Sequence, residues 1–184
     1  MSSPERELKI LLTRDQYETL LKTYPFEKTI VQKNVYYDTD QGTLKNEKKA
    51  FRTRTIGSEN LVTLKLPIDE ITKEEFEFPV SSNQLSKIDK EELAEVLPYL
   101  PDLADLHPIA EIETTRSLLE TDYGTFCLDL NKFGSVTDYE LEYEYKKDHD
   151  GIKALNEFLT PTGLHYEKNC TNKIARAMAY KENL

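Results

Sequence analysis

Apolar and polar residues alternate with a period of two along much of the chain, which is the pattern of β-strands that bury one face. The third and fourth of these segments are separated by turn residues at 57–60, which predicts a hairpin. The chain is therefore expected to form a strand-rich α+β fold. The alternation predicts eight strands, over residues 5–12, 35–38, 50–56, 61–66, 73–80, 109–120, 125–131 and 138–146.

Helical spacing of apolar residues interrupts the alternation. Thr13 and Gln16 have the spacing of a capping box, and Tyr17 and Leu20 supply the apolar face of a first helix. No repeat or linker is visible in the sequence, so residues 1–184 are predicted to form one domain. Further helices are predicted over 86–97, 151–159 and 172–181, and an irregular connection over 99–108.

Ionised side chains occupy one face of several predicted strands, and the apolar residues occupy the other face. Within a single strand these charges are often of one sign. The charged faces carry Glu5, Glu7 and Lys9 on the first strand, Arg52 and Arg54 on the third, Lys65 on the fourth, and Glu140, Glu142 and Glu144 on the last.

A half-buried sheet whose charged face meets water would explain any one of these strands. It explains the whole set less well, because neighbouring like charges such as Arg52 and Arg54 cost free energy on an ordinary surface. A ligand of opposite charge would offset that cost. The pattern therefore favours a site for a phosphate chain and its metal ions.

The charged positions resemble, in order, the motifs of CYTH proteins, which include class IV adenylyl cyclases, thiamine triphosphatases and inorganic triphosphatases. E-x-E-x-K alone is a weak motif, but the resemblance extends along nearly the whole chain. Residues 36–39 resemble the YYDT element of the family. The other matches are Glu5, Glu7 and Lys9 in E-x-E-x-K, Arg52 and Arg54 in R-x-R, Lys65 in T-x-K, Glu75 and Glu77, Arg116, Asp129, and Glu142 and Glu144 in E-x-E.

The resemblance implies a closed eight-stranded antiparallel β-barrel, a tunnel with a charged interior and with helices packed outside. It also implies a triphosphatase that depends on Mg²⁺ or Mn²⁺, in which carboxylates hold the cation and basic side chains hold the phosphates. The implied metal ligands are Glu5, Glu7, Glu77, Asp129, Glu142 and Glu144; the implied triphosphate-binding residues are Lys9, Arg52, Arg54, Lys65 and Arg116; the implied catalytic set is Glu5, Glu7, Lys9 and Lys65.

Two positions depart from the family pattern. Thr114 stands where several members carry a second base, and Cys127 stands where some carry an acid. The aromatic residues Tyr36 and Tyr37 are predicted to serve packing rather than catalysis.

Basic residues near the C-terminus could reach a mouth of the tunnel. A basic residue on a terminal helix is more often solvated, however, so we predict solvent-exposed positions for Lys168, Lys173 and Arg176.

Composition limits the partners. The formal net charge of -10 argues against nonspecific binding to nucleic acid or to an anionic membrane. No apolar run has the length of a signal or membrane-spanning segment, and only two cysteines are present, so we predict a cytoplasmic protein. The partner expected from the resemblance is a small molecule that bears a triphosphate.

Three functions remain open at this point. The first is metal-dependent hydrolysis of tripolyphosphate, thiamine triphosphate or a nucleoside triphosphate. The second is an adenylyl cyclase, which ranks lower because no residues that specify an adenine pocket can be identified. The third is a noncatalytic module that binds phosphate chains or nucleotides, and the carboxylates expected to bind metal argue against it.

Overall fold

The structure, a computed structural model, describes residues 1–182, and its strands form a closed barrel. The strands are β1 (Ser2–Leu12), β2 (Lys28–Asp38), β3 (Ala50–Ile56), β4 (Glu59–Pro67), β5 (Thr72–Pro79), β6 (His107–Glu120), β7 (Gly124–Phe133) and β8 (Val136–Tyr145). Around the barrel they follow the order β1-β5-β4-β3-β2-β6-β7-β8. Every neighbouring pair is antiparallel, so the predicted eight-stranded antiparallel barrel is confirmed.

The helices of residues 1–182 pack against this barrel, and none of them is long and apolar enough to cross a membrane. The predicted capping box of α1 (Arg14–Thr23) is confirmed, because the Gln16 N–H donates to Thr13 Oγ1 and the Thr13 N–H donates to Gln16 Oε1. The short α2 (Thr43–Asn46) was not predicted; its N–H groups at Leu44 and Lys45 donate to the carboxylate of Asp38, 2.8 and 3.1 Å away. The helices are α1 (Arg14–Thr23), α2 (Thr43–Asn46), α3 (Gly151–Leu159) and α4 (Lys173–Glu182).

Three apolar clusters pack against the barrel wall, two on its outside and one inside at one end. The first lies between the outer face of β1, β7 and β8 and the helices α1 and α3, with Leu8 and Leu141 fully buried. The second includes Leu64 of β4 and lies beneath residues 81–106. The third joins Tyr36 on the inner face of β2 to Ala177 of α4, so α4 closes one end of the barrel. Each buried leucine contributes about 1.5–3 kcal/mol, so the outer clusters and this apolar end supply the stability and leave the rest of the lumen for charge.

β2 is longer than predicted, because the pattern indicated a strand only over 35–38. Its first half has no apolar face that the alternation could detect. Gln32 and Asn34 point into the lumen and are buried, whereas Val31 and Lys33 on the opposite face are exposed. A strand that lines a polar lumen and is uncovered outside therefore has no hydrophobic periodicity.

The α-helix predicted over 86–97 is wrong. The structure has 3₁₀ helices instead, at Leu85–Lys87, Lys90–Leu93 and Leu97–Tyr99. The carboxylate of Glu92 accepts hydrogen bonds from the backbone N–H and the hydroxyl of Ser81, and Leu93 and Val96 are completely buried. These tertiary contacts hold closely spaced residues of the segment against the sheet. They favour short 3₁₀ turns over the continuous α-helix that the helix propensity of the segment predicts.

The segment before α4 completes the wall beside β1. β1 pairs with β5 only as far as Arg6, so the next part of its edge needs other partners. Asn169 supplies two of them, because its Oδ1 accepts from the Lys9 N–H at 2.8 Å and its Nδ2 donates to the Glu7 carbonyl at 3.0 Å. The Cys170 N–H donates to the Lys9 carbonyl at 3.2 Å. The chain is thereby fixed at the wall just before α4 enters the barrel end.

Candidate active site in the barrel lumen

The barrel encloses a cavity of about 210 Å³ that is lined mainly by ionised side chains. Asp129 does not line it but lies fully buried behind Arg116. The lining residues outside the predicted set include four with ionisable side chains: Tyr36, Lys73, Glu75 and Lys173. The predicted site residues that the cavity brings together are Glu5, Glu7, Lys9, Arg52, Arg54, Lys65, Glu77, Arg116, Glu142 and Glu144.

Four carboxylates gather where β1, β5 and β8 meet, and we call Glu5, Glu7, Glu75 and Glu144 the open acidic group. Lys65 Nζ lies 3.0 Å from Glu5 Oε2, 3.4 Å from Glu7 Oε1 and 3.5 Å from Glu75 Oε2. Lys9 Nζ lies 3.0 Å from Glu7 Oε1. Two lysines thus form ion pairs with three of the four carboxylates, and within residues 1–182 no ion pair involves Glu144.

The pKa values of the open acidic group reflect this shortage of cations. Burial would raise the pKa of Glu7, but Lys65 and Lys9 lower it to about 2. Burial and a hydrogen bond with Glu5 raise the pKa of Glu75 to about 8. Burial and the charges of Glu5 and Glu7 raise the pKa of Glu144 to about 7. A further cation in this corner would therefore be bound favourably.

A buried carboxylate oxygen points to the same corner. Within residues 1–182 the ion pair of Glu5 Oε2 is with Lys65 Nζ at 3.0 Å, and Lys65 is shared with Glu7 and Glu75. Carboxylate oxygens are the ligands that hard divalent cations prefer, so the donor set of the open acidic group fits Mg²⁺ or Mn²⁺.

A second set of carboxylates, Asp129, Glu140 and Glu142, has oxygens within 4.8 Å of one another, and we call it the plugged acidic group. Lys173 Nζ, from the start of α4, lies 2.8 Å from Asp129, 2.5 Å from Glu140 and 2.7 Å from Glu142. Arg116 Nη2 adds contacts of 2.7 Å to Asp129 and 2.9 Å to Glu142. This group therefore already has cationic partners within the chain.

Two of the three basic residues near the C-terminus lie inside, contrary to prediction. Lys173 and Arg176 are buried, and Arg176 contacts Asp138 at 2.8 Å and Glu140 at 3.0 Å. Lys168 is exposed, as predicted. The prediction failed because the sequence alone does not show that the first turn of the terminal helix inserts into the end of the barrel.

The opposite wall carries two arginines with no such partners. Within residues 1–182, no carboxylate oxygen lies within 4.0 Å of the guanidinium nitrogens of Arg52 or Arg54, and the Arg52 Nε is buried without a partner. Burial, together with the charges of Arg52 and Arg116, lowers the pKa of Arg54 to about 9. Two positive charges held together in a buried place create a strong preference for an anion.

Tyr36 has two roles in the structure. It packs in the apolar cluster against α4, as predicted, and its hydroxyl oxygen also accepts from Arg52 Nη1 at 3.1 Å. Burial would raise the pKa of Tyr36, but Arg52 and Arg54 lower it to about 8. Tyr36 shares the inner face of β2 with Asn34, but its apolar neighbours Val35 and Tyr37 leave no alternation in the sequence that marks it as facing the lumen.

The departures from the family pattern are accommodated by polar contacts or burial. The Thr114 hydroxyl donates to Asn131 Oδ1 at 2.7 Å, and burial raises the pKa of the Cys127 thiol.

On β5, Lys73 and Glu75 share the inward face with Glu77, whose carboxylate accepts from the Thr63 hydroxyl at 2.9 Å. Glu75 was already among the family matches, and counting in steps of two from Glu77 could have identified Lys73 as well.

The sequence matches the family model of the CYTH domain over residues 3–177. A protein of Bacillus subtilis (strain 168) named as a candidate triphosphatase, YjbK, is 29% identical over 185 residues, which cover 94% of this chain and 93% of that protein. A solved structure of a candidate adenylate cyclase from Bacillus halodurans has a TM-score of 0.82 at 24% identity and covers 95% of this chain and 97% of its own. The Hippeastrum protein HpAC1, described as a candidate adenylyl cyclase that reveals a dominant triphosphatase activity, has a TM-score of 0.71 at 20% identity, with 98% and 96% covered.

Proposed function

Because the chain belongs to the CYTH domain family, we propose that it is a divalent-metal-dependent triphosphatase whose substrate, a small molecule bearing a triphosphate, enters the barrel lumen. The observation that carries the proposal is the separation of charge across one cavity. Arg52 and Arg54 have no carboxylate partner in residues 1–182, and the open acidic group has more carboxylates than cations. A metal triphosphate complex is complementary to both walls.

The basic residues would bind the phosphate chain. Arg52 and Arg54 would supply guanidinium groups that form no ion pair with a carboxylate of residues 1–182. The planar array of donors of a guanidinium group suits the geometry of phosphate oxygens. Lys9 and Lys65 line the same cavity and contact the open acidic group, so they would contact phosphate oxygens close to the cation. Arg116, held by Asp129 and Glu142, would present its remaining donors to the same chain.

The cation would be held by Glu5, Glu7 and Glu144, with Glu75 and Glu77 beside them. When bound, Mg²⁺ or Mn²⁺ would neutralise charge on the phosphate oxygens and lower the pKa of a coordinated water. Asp129 and Glu142 have a different task in this proposal, because they hold Arg116 and Lys173 in place. The chain needs no side-chain nucleophile, since its residues position the phosphates and neutralise their charge.

The test is a panel of substrates with the purified protein and Mg²⁺ or Mn²⁺. Tripolyphosphate, thiamine triphosphate, ATP and GTP are each supplied, and phosphate, pyrophosphate and cyclic AMP are all measured. We expect phosphate release that requires metal and that is lost in Glu5→Gln. Pyrophosphate and cyclic AMP from ATP would instead establish the cyclase, and tight binding without turnover would establish the noncatalytic module.

A further inference from the structure

The two uncompensated arginines are held by neutral side chains of one strand. Arg54 Nε donates to Asn34 Oδ1 at 2.7 Å, and Arg52 Nη1 donates to Tyr36 Oη at 3.1 Å. Resting on the proposed function, we infer that Asn34 and Tyr36 are positioning residues: they aim the guanidinium groups into the lumen without neutralising them, which leaves both positive charges for the triphosphate.

The register of the barrel builds this pairing. Asn34 stands directly opposite Arg54, and Tyr36 directly opposite Arg52, across the β2–β3 ladder. Side chains that are directly opposite on one face of an antiparallel pair are close neighbours. Two successive pairs on the same face therefore use the same arrangement, an arginine on β3 and a neutral acceptor on β2.

Both acceptors are themselves held in place. Asn34 Nδ2 donates to the carbonyl of Ile112 at 3.2 Å, which turns the amide oxygen toward Arg54. The ring of Tyr36 packs with Ala110 and Ile112 and with Ala177 of α4. Each acceptor is nearly inaccessible to solvent, so neither can turn away from its arginine at low cost.

Arg116 shows the opposite arrangement in the same lumen. Its Nε and Nη2 donate to both oxygens of Asp129, at 2.8 and 2.7 Å, so a carboxylate both aims and neutralises it. The barrel thus contains arginines with ionic partners and arginines with neutral ones. A carboxylate at position 34 would convert the second kind into the first and would compete with a phosphate oxygen for the same guanidinium.

The closing experiment compares Asn34→Asp with Asn34→Leu, which differ little in size. Binding of tripolyphosphate without metal is measured by calorimetry, and stability is measured as Tm. Asn34→Asp should weaken binding about tenfold to hundredfold, because the new carboxylate forms an ion pair with Arg54 and neutralises it. Asn34→Leu should weaken binding less than about tenfold, because Arg54 keeps its full charge and loses only the hydrogen bond that orients it. In stability the order should reverse, since the introduced carboxylate would still accept from Arg54 whereas leucine leaves a buried donor unpaired.

A merely structural role for Asn34 would make binding and Tm fall together in both variants, and that result overturns the inference.

A double variant, Asn34→Leu combined with Arg54→Met, gives a second criterion. In an Arg54→Met background, Asn34→Leu should weaken binding by no more than about twofold further, because a positioning residue acts through its partner; additive losses would contradict this. Tyr36→Phe, which keeps the packing against α4, should likewise weaken binding in the wild-type background and have no further effect with Arg52→Met.

The proposed function and this inference fail in distinguishable ways. If the wild type neither binds nor hydrolyses any triphosphate, the proposed function is wrong, and the order of Tm values still decides whether Asn34 is the partner of Arg54. If the wild type binds and hydrolyses tripolyphosphate but Asn34→Asp binds it as tightly as the wild type, the function stands and the inference is wrong.

Discussion

The open and plugged acidic groups consist of the same kind of residue in the same barrel, yet they differ in what neutralises them. Lys173 reaches all three carboxylates of the plugged group, and Arg116 and Arg176 add further contacts. Among residues 1–182, the ion pairs of the open group are with Lys65 and Lys9 alone. A cluster of carboxylates therefore indicates a metal site only after the cations that the chain itself supplies have been counted.

The largest expected effect comes from replacing Lys173, which forms ion pairs with all three carboxylates of the plugged acidic group. Lys173→Met should cost about 3–5 kcal/mol of unfolding free energy, because three buried carboxylates lose a shared partner. The measurement is a urea titration, with Lys168→Met as the matched control, since Lys168 is exposed and its loss should change stability by less than about 0.5 kcal/mol. If the two variants were equally stable, the plugged group would not depend on Lys173, and the comparison between the two groups would fail.

A pair of matched glutamines on β8 should separate the two groups in metal binding. Glu144→Gln should raise the apparent dissociation constant for Mg²⁺ about tenfold or more, a loss of at least about 1.4 kcal/mol, without destabilising the metal-free protein. Glu142→Gln should destabilise the metal-free protein by about 1.5–3 kcal/mol, because Arg116 and Lys173 lose a charged partner. Metal titrations of rate and urea titrations test both. The reverse assignment, with Glu142→Gln affecting only metal binding, would mean that the plugged group holds the cation.

The smallest effect should be a dependence of stability on pH that the open acidic group causes. The pKa values of Glu75 and Glu144 are raised, to about 8 and about 7, so the folded protein keeps protons that the unfolded chain has lost above about pH 4.5. Their contribution to stability is therefore present at low pH and declines as pH rises toward about 8. Relative to the Glu75→Gln/Glu144→Gln double variant, Tm of the metal-free wild type should fall between pH 6 and pH 8.

Saturating Mg²⁺ sharpens the same measurement. Because the cation requires deprotonated ligands, the rise in Tm that it causes should grow with pH over this window. An equal rise at pH 6 and pH 8 would indicate that the cation binds to other ligands.

Much of the barrel can be predicted from the sequence, and the exceptions have local causes. Strands with an apolar outer face and an ionised inner face, such as the one containing Glu5 and Glu7, are detected by alternation alone. The first half of β2 is not, because Gln32 and Asn34 face a polar lumen and nothing apolar covers the other side. The segment 86–97 looks helical, but Glu92 and the buried leucines around it are tied to the sheet at short intervals.

The sequence by itself determined most of the strands and which side chains share a face, because period two places every second side chain on the same side of a strand. The closed barrel and its charged interior were implied by the resemblance to the CYTH family. Which carboxylates remain without a cation was decided only by the tertiary structure. Lys173 meets Asp129 and Glu140 because α4 folds into the barrel end, and Asn34 meets Arg54 because β2 and β3 pair in one register. Charge compensation depends on distances of a few ångströms between residues far apart in the chain, and no local pattern encodes those distances.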